Sequence, residues 1–193
     1  LSARERAAAY EKAGASMISV LCDGPFFGGR YEDLLEARED TSIPLLCKEF
    51  IVDECQLDAA HAFGASAALL IVRCLTPSEL GRLIAAAQER KLTPLVEITN
   101  DDEGRVALDQ GATWIGVNAR DLDTLQMDSS RARAVLEALP GPVVRCHFSG
   151  VKTPADVEQV AASGADAALV GEVLMRQDDP TEILSSLTRA ARS

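Results

Sequence analysis

The sequence predicts an α/β fold, a (β/α)8 barrel of parallel strands from which the first strand is absent, so that seven strands are expected. Three observations carry that prediction: a short phrase repeated four times, a strict alternation of two kinds of strand, and helix-start signals in the gaps between them. Repetition at this spacing is the signature of one supersecondary unit used again and again.

The repeated phrase reads Gly14-Ala15-Ser16-Met17-Ile18-Ser19-Val20, Gly64-Ala65-Ser66-Ala67-Ala68-Leu69-Leu70, Gly111-Ala112-Thr113-Trp114-Ile115-Gly116-Val117 and Gly164-Ala165-Asp166-Ala167-Ala168-Leu169-Val170. Each copy closes an Ala-rich segment of helical periodicity and opens an almost continuous apolar run. The glycine suits the left-handed position just past a helix C-terminus, and the run suits a strand buried on both faces, as parallel strands are. The other strands are entered through proline at Pro44, Pro94 and Pro142, where a missing N–H costs no ladder bond. Strands are expected near 17–21, 44–48, 67–72, 94–98, 113–117, 142–146 and 167–170.

Between them, Thr76-Pro77-Ser78-Glu79 and Thr153-Pro154-Ala155-Asp156 are helix starts: an N-cap Thr, Pro in the first turn and an acid at the third helical position. Strands alternating with helices give a parallel sheet with right-handed crossovers. Two strand types in strict alternation suit a closed TIM barrel, in which alternate strands build successive interior layers. The structural alternative is a doubly wound open sheet, but no G-x-G-x-x-G follows any strand. Residues 1–193 are expected to form one barrel domain. A full barrel takes roughly 250 residues; here the first helix, Ala3 to Ala13, has no strand in front of it, and the chain opens on Leu1 rather than Met. The expectation is an amino-terminally incomplete barrel.

Composition narrows the function. A net charge of −11 argues against nucleic acid, whose phosphates need a basic face, but leaves room for a phosphorylated small molecule held by backbone N–H groups. Five cysteines (Cys22, Cys47, Cys55, Cys74, Cys146) without a C-x-x-C pair, and only two histidines, predict neither a disulfide framework nor a zinc site. They read as small buried thiols of a cytoplasmic protein. No apolar run has the length of a membrane span and no leader pattern opens the chain.

Barrel chemistry sits at the C-terminal ends of the strands. Those ends carry Cys22-Asp23, Lys48-Glu49-Phe50, Arg73, Glu97, Asn118 and Arg120, His147-Phe148-Ser149-Gly150, and Gly171-Glu172. Lys48 and Glu97 on one rim suit a general acid and base, since burial moves both pKa values toward neutrality; the alternative is a structural salt bridge. Gly150 and Gly171 suggest a phosphate site after the last two strands, with Glu172 to Met175 as the short helix beside it; the alternative is that they only permit tight turns. Phe26 and Phe27, followed by Gly28 and Gly29, are expected either to wall an aromatic substrate or to plug the barrel mouth. Trp114 reads as core, His61 as a solvated or capping helix residue, and His147 as a strand-end group.

At this point a family resemblance becomes specific. Ala9-Tyr10-Glu11-Lys12-Ala13-Gly14-Ala15, Phe26-Phe27-Gly28-Gly29, Lys48-Glu49-Phe50-Ile51-Val52-Asp53 with Gln56, Val96-Glu97-Ile98, Gly116-Val117-Asn118-Ala119-Arg120-Asp121-Leu122, Ser149-Gly150-Val151 and Val170-Gly171-Glu172-Val173-Leu174-Met175-Arg176 follow in order. Together they resemble indole-3-glycerol phosphate synthase over essentially the whole chain.

The resemblance implies a carboxy-lyase that closes the indole ring of a carboxyphenylamino-deoxyribulose phosphate with loss of CO2 and water, on the way to tryptophan. It implies Lys48 as general acid and Glu97 as charge stabiliser or base, with Asn118 and Arg120 orienting the substrate. Phe27 and Phe50 would lie against its aromatic ring, Leu122 would join the substrate-binding positions, and Ser149, Gly150, Gly171 and Glu172 would hold the phosphate, the last two largely by backbone. It implies no metal and no organic cofactor.

The chain departs from the family's pattern in three places. The family's first strand, with a second lysine, a glutamate and a Ser-Pro-Ser phosphate contact, is not in the sequence. A family glutamate just before Ser-Gly is replaced by Phe148, preceded by His147 instead of a small residue, which leaves His147 as the nearest substitute acid or base. Val173 stands where a Ser is usual. Groups of this kind each contribute roughly 10²–10⁴-fold, so the residues present predict impaired catalysis. Two alternatives to a working lyase follow: a repurposed phosphate-binding barrel, with Schiff-base chemistry at Lys48 as a variant, and a structural fragment that associates with a second copy through its open edges.

Overall fold

The computed structural model describes residues 1–121 and 124–192. The elements run α1 (Ala3–Lys12), β1 (Ile18–Leu21), α2 (Gly24–Phe27), α3 (Glu32–Glu39), β2 (Leu45–Lys48), α4 (Glu54–Ala62), β3 (Ala67–Ile71), a 3₁₀ turn (Val72–Cys74) and α5 (Pro77–Glu89). They continue through β4 (Thr93–Ile98), α6 (Asp101–Asp109), β5 (Trp114–Asn118), α7 (Ser129–Ala138), β6 (Val144–Phe148), α8 (Pro154–Ala162), β7 (Ala167–Leu169), α9 (Glu172–Met175) and α10 (Thr181–Ala190). All seven strands are parallel and lie in sequence order in one sheet. The architecture is a (β/α) barrel lacking one strand.

The local signals work as their chemistry requires. Gly14, Gly64, Gly111 and Gly164 all take a left-handed backbone, with φ of 92°, 90°, 84° and 78°. Thr76 and Thr153 form capping boxes with Glu79 and Asp156, each satisfying two N–H groups that the first helical turn leaves orphaned.

Alternation along the strands sorts side chains into two cores. Leu45, Cys47, Ala68, Leu70, Val96, Ile98, Ile115 and Val117 pack outward under the helices. Leu46, Ala67, Leu69, Ile71, Leu95, Cys146 and Phe148 fill the interior, with Trp114, Met17 and Leu169 against them. Trp114 is therefore core. The cysteines divide: Cys22, Cys47 and Cys146 are buried free thiols, whereas Cys55 and Cys74 are exposed, so the expectation of uniformly buried thiols is corrected by two positions on helix and turn surfaces.

One strand boundary also needs correction. The sixth strand runs Val144–Phe148 rather than 142–146, because Pro142 has no N–H to donate and the ladder opens where Val144 N–H reaches Thr113 O at 2.8 Å. It ends where Phe148 pairs with Asn118. His147 and Phe148 are thus strand residues facing opposite sides, not loop residues beyond a strand end.

Among the described residues β1 pairs only with β2 and β7 only with β6. Helices span this seam from outside: Thr188 Oγ1 donates to Ala13 O at 2.9 Å and Arg6 to Leu174 O at 3.3 Å. Ala167 and Ala168 of β7 are exposed along it. No helix is long and apolar enough to cross a membrane among the described residues.

Candidate active site

Because the strands are parallel, every strand's C-terminal end lies on one rim. Lys48 ends β2, its stem directed inward two residues after Leu46. Glu97 sits one residue before the end of β4, in step with Leu95, and is 2 % exposed. Asn118 ends β5. The barrel's curvature brings these three together: Lys48 Nζ stands 3.9 Å from Glu97 Oε2, and Asn118 Nδ2 donates to Glu97 Oε1 at 2.8 Å.

Asn118 is oriented by two donors. Its Oδ1 accepts from Ser149 Oγ at 2.8 Å and from the Arg120 N–H at 3.0 Å, which leaves only its NH2 to face Glu97. Glu97 Oε2 is buried without a hydrogen-bond partner. Burying a polar oxygen without a hydrogen bond is costly; the Lys48 ammonium stands near it, across a gap too long for a hydrogen bond.

An aromatic wall flanks Lys48. Phe27 stacks on Phe50, with centroids 6.0 Å apart, and Phe26 meets Phe50 edge-on at 5.6 Å; the Lys48 ammonium lies 6.0 Å from the Phe27 ring centre. The wall is built by local turns. Asp23 caps α2 by accepting from the Phe26 and Phe27 N–H groups. A Cβ on Gly29 would come 2.0 Å from Leu21 O, so only glycine lets this loop fold back over β1. Gln56 donates to Phe50 O and accepts from the Val52 and Asp53 N–H groups. Phe26 and Phe27 are 78% and 49% exposed. At that exposure neither is packed as a buried plug of the barrel mouth.

The remaining predicted residues divide. Ser149 and Gly150, in the loop after β6, both take left-handed backbones, with φ of 70° and 86°. For a serine this costs about 1 kcal/mol or more. Gly171 has φ of −131° and open space where a side chain would begin, so no left-handed turn requires glycine there. Glu172 opens α9, where its carboxylate takes Arg120 at 3.3 Å and Arg176 at 2.7 Å. Arg120 and Glu172 thus hold each other at the rim. Leu122 lies outside the described residues.

One sequence expectation is corrected. His147 faces away from the barrel: its neighbours Cys146 and Phe148 point inward, and its ring lines a cavity with Ser129, Arg133, Asp156 and Gln159. It is not an acid or base for the rim groups. His61 is exposed on α4, in agreement with the solvated reading. Sequence reasoning missed Arg131, whose guanidinium donates to Asn118 O and Ala119 O at 3.0 and 3.3 Å. Its one signal was its place three residues after Asp128, which caps α7 by accepting the Arg131 N–H.

Comparison with known proteins bears on this geometry. The family model for indole-3-glycerol phosphate synthase matches residues 1–187. The chain belongs to that family. Among its relatives, the indole-3-glycerol phosphate synthase of Exiguobacterium sp. is 43% identical over 183 residues, which are 95% of this chain and 72% of the relative. That of Streptomyces griseus is 45% identical over 184 residues, again 95% of this chain and 68% of the relative.

The solved structures show the same architecture at lower identity. A 3-hexulose-6-phosphate synthase superposes with a TM-score of 0.81 at 18% identity, covering 97% of this chain and 92% of that one. The Salmonella typhimurium 3-hexulose-6-phosphate synthase gives 0.76 at 14%, covering 100% and 94%. At such identities the likeness concerns fold alone.

Phe148 is the position at which the family resemblance implies a glutamate. Phe148 occupies the inward-facing last place of β6 and is packed into the interior. An apolar ring there adds burial where a carboxylate would have to be kept solvated or paired.

Proposed function

We propose that the chain acts as an indole-3-glycerol phosphate synthase-type carboxy-lyase, closing the indole ring of a carboxyphenylamino-deoxyribulose phosphate with loss of CO2 and water. The observation that carries the reading is the Lys48–Glu97–Asn118–Ser149 chain of contacts on one rim, beside the Phe27–Phe50 wall.

Each group has a role its surroundings suit. Lys48 delivers a proton to the sugar carbonyl or hydroxyl oxygen, making the adjoining carbon electrophilic. The aromatic ring supplies the electron pair that forms the new carbon–carbon bond, and the resulting cation releases CO2; the hydroxyl left on the former carbonyl carbon then departs as water on protonation, with loss of a proton from the adjoining ring carbon. Glu97, buried and carrying one oxygen without a hydrogen bond, faces that positive charge and stabilises it at short range. Asn118 and Arg120 orient the substrate, Phe27 and Phe50 receive the aryl ring, and Ser149 and Gly150, with the backbone N–H groups of Gly171 and Glu172, hold the phosphate.

A second reading, a phosphate-binding barrel with reduced catalysis, is favoured by Phe148. The ring fills the interior place from which a further carboxylate would act. One experiment separates the two. Indole fluorescence is followed as the carboxyphenylamino-deoxyribulose phosphate is added to mass-verified protein, with Lys48→Ala as control. Indole formation lost in the control supports the lyase; binding without turnover supports the second reading; neither binding nor turnover removes both.

A further inference from the structure

We infer that His147 is a positioning residue for this site: from outside the barrel it holds Ser149 in the left-handed conformation that brings the Ser149 hydroxyl to Asn118. The inference rests on the proposed reading of Lys48, Glu97 and Asn118 as the working groups.

The geometry is a relay of three links. His147 Nε2 lies 2.9 Å from Ser149 O. Ser149 Oγ donates to Asn118 Oδ1 at 2.8 Å, and Asn118 Nδ2 donates to Glu97 Oε1 at 2.8 Å. A backbone carbonyl can only accept, so Nε2 must carry the proton of that first link. The ring is 5% exposed, between β6 and the helices α7 and α8, and burial pushes its pKa below the usual imidazole value, against the opposing effect of the Ser149 bond. The ring is therefore neutral, with its single proton on Nε2.

Ser149 needs such a hold. Two consecutive left-handed residues follow β6; Gly150 adopts that backbone freely, whereas a serine does not. Its carbonyl is pinned by His147 on the outer side and its hydroxyl by Asn118 on the inner side. Without the outer pin, Ser149 relaxes toward an ordinary backbone and its hydroxyl leaves Asn118. One of the two donors that fix the Asn118 amide is then gone. A small residue at position 147 has no donor to offer, so the device belongs to this chain's own histidine.

The test uses the fact that the chain has only two histidines. In ¹⁵N-labelled His61→Gln protein, the one remaining imidazole should show the Nε2–H tautomer near neutral pH. An Nδ1–H tautomer overturns the inference, because Nε2 would then face the carbonyl without a proton. Kinetically, His147→Leu should lower kcat/KM about tenfold or more through misplacement, and His147→Gln, which can donate from a similar reach, should recover most of it. In a Ser149→Gly background the His147→Leu loss should shrink to about threefold or less, the residue acting through its neighbour. Equal losses in both backgrounds, or no rescue by Gln, overturn it. A merely structural histidine would lower the melting temperature without this pattern. If the wild type turns out not to form indole, the function fails but the inference is still decided: the tautomer, and an Asn118 side-chain amide signal that shifts in His147→Leu and not in His147→Gln, support it, and their absence overturns it.

Discussion

The Phe148 ring lies across the backbone of Gly116 on the neighbouring strand, so closely that a Cβ on Gly116 would fall 2.4 Å from Phe148 Cζ. The two residues are fitted to each other: Gly116 pairs with Cys146 in the β5–β6 ladder, one inward place below the Asn118–Phe148 pair, and its missing side chain is the space that the ring occupies. A large residue at the rim has been accommodated by an empty place one layer below.

This fit gives a stability prediction. Gly116→Ala forces the ring from its place and should destabilise the protein by about 1–3 kcal/mol, as overpacked cores do. The loss should be smaller when Phe148→Leu is already present. Urea denaturation of the four proteins of the cycle measures it; additive losses would show that ring and glycine do not interact.

Phe148→Glu should move stability and activity in opposite directions. The substitution gives up packing in a buried place and puts a carboxylate on the rim beside Asn118, so the melting temperature should fall. Indole formation should rise by about tenfold or more, within the range usual for an acid–base group. Thermal melts and steady-state kinetics on the same preparation check both halves.

Glu97→Gln should also separate the two properties. The amide keeps an oxygen for Asn118 Nδ2 and removes a buried charge whose second oxygen lacks a hydrogen bond. Stability should be unchanged or higher, since a buried charge in a weak pair costs more desolvation than it recovers. The indole-forming rate should fall about 10²-fold or more. A large loss of stability in Glu97→Gln would show that the Lys48–Glu97 pair is a structural salt bridge instead.

His147 gives a pH prediction whose sign follows from burial. Its folded-state pKa is lowered from the usual 6.5 by desolvation, the larger cause, with the Ser149 bond opposing. Below pH 6.5 the unfolded chain then binds a proton that the folded one does not, so stability is lost as pH falls from the unfolded value toward the folded one. Arg133 and Asp156 line the same cavity, and Asp156, whose carboxyl is held below its usual pKa against desolvation by its bonds to Lys152 and Thr153, keeps its charge across this window. Relative to His147→Gln, the wild type should lose more stability between pH 7 and the acid side of 6.5. Parallel curves for the two proteins would contradict it.

What could be read from the sequence was whatever neighbours along the chain decide. The left-handed glycines, the Thr-Pro helix starts with their acids, and the alternation of strand types depend on contacts within a few residues, and each stands where its chemistry placed it. Lys48, Glu97 and Asn118 were legible as strand-end polar groups because parallel strands share one rim.

Only the tertiary structure decided how those groups meet and what β6 presents. Lys48, Glu97 and Asn118 come from three strands brought together by barrel curvature, which no spacing along the chain records. The end of β6 depends on pairing with Asn118 across the ladder. That pairing extends the strand through Phe148, turns His147 outward, and directs the Phe148 ring onto Gly116. Sequence sets each residue's preference for strand, cap or turn; the side it faces and the partner it meets come from interactions between residues far apart in the chain, whose free energies exist only once the barrel has formed.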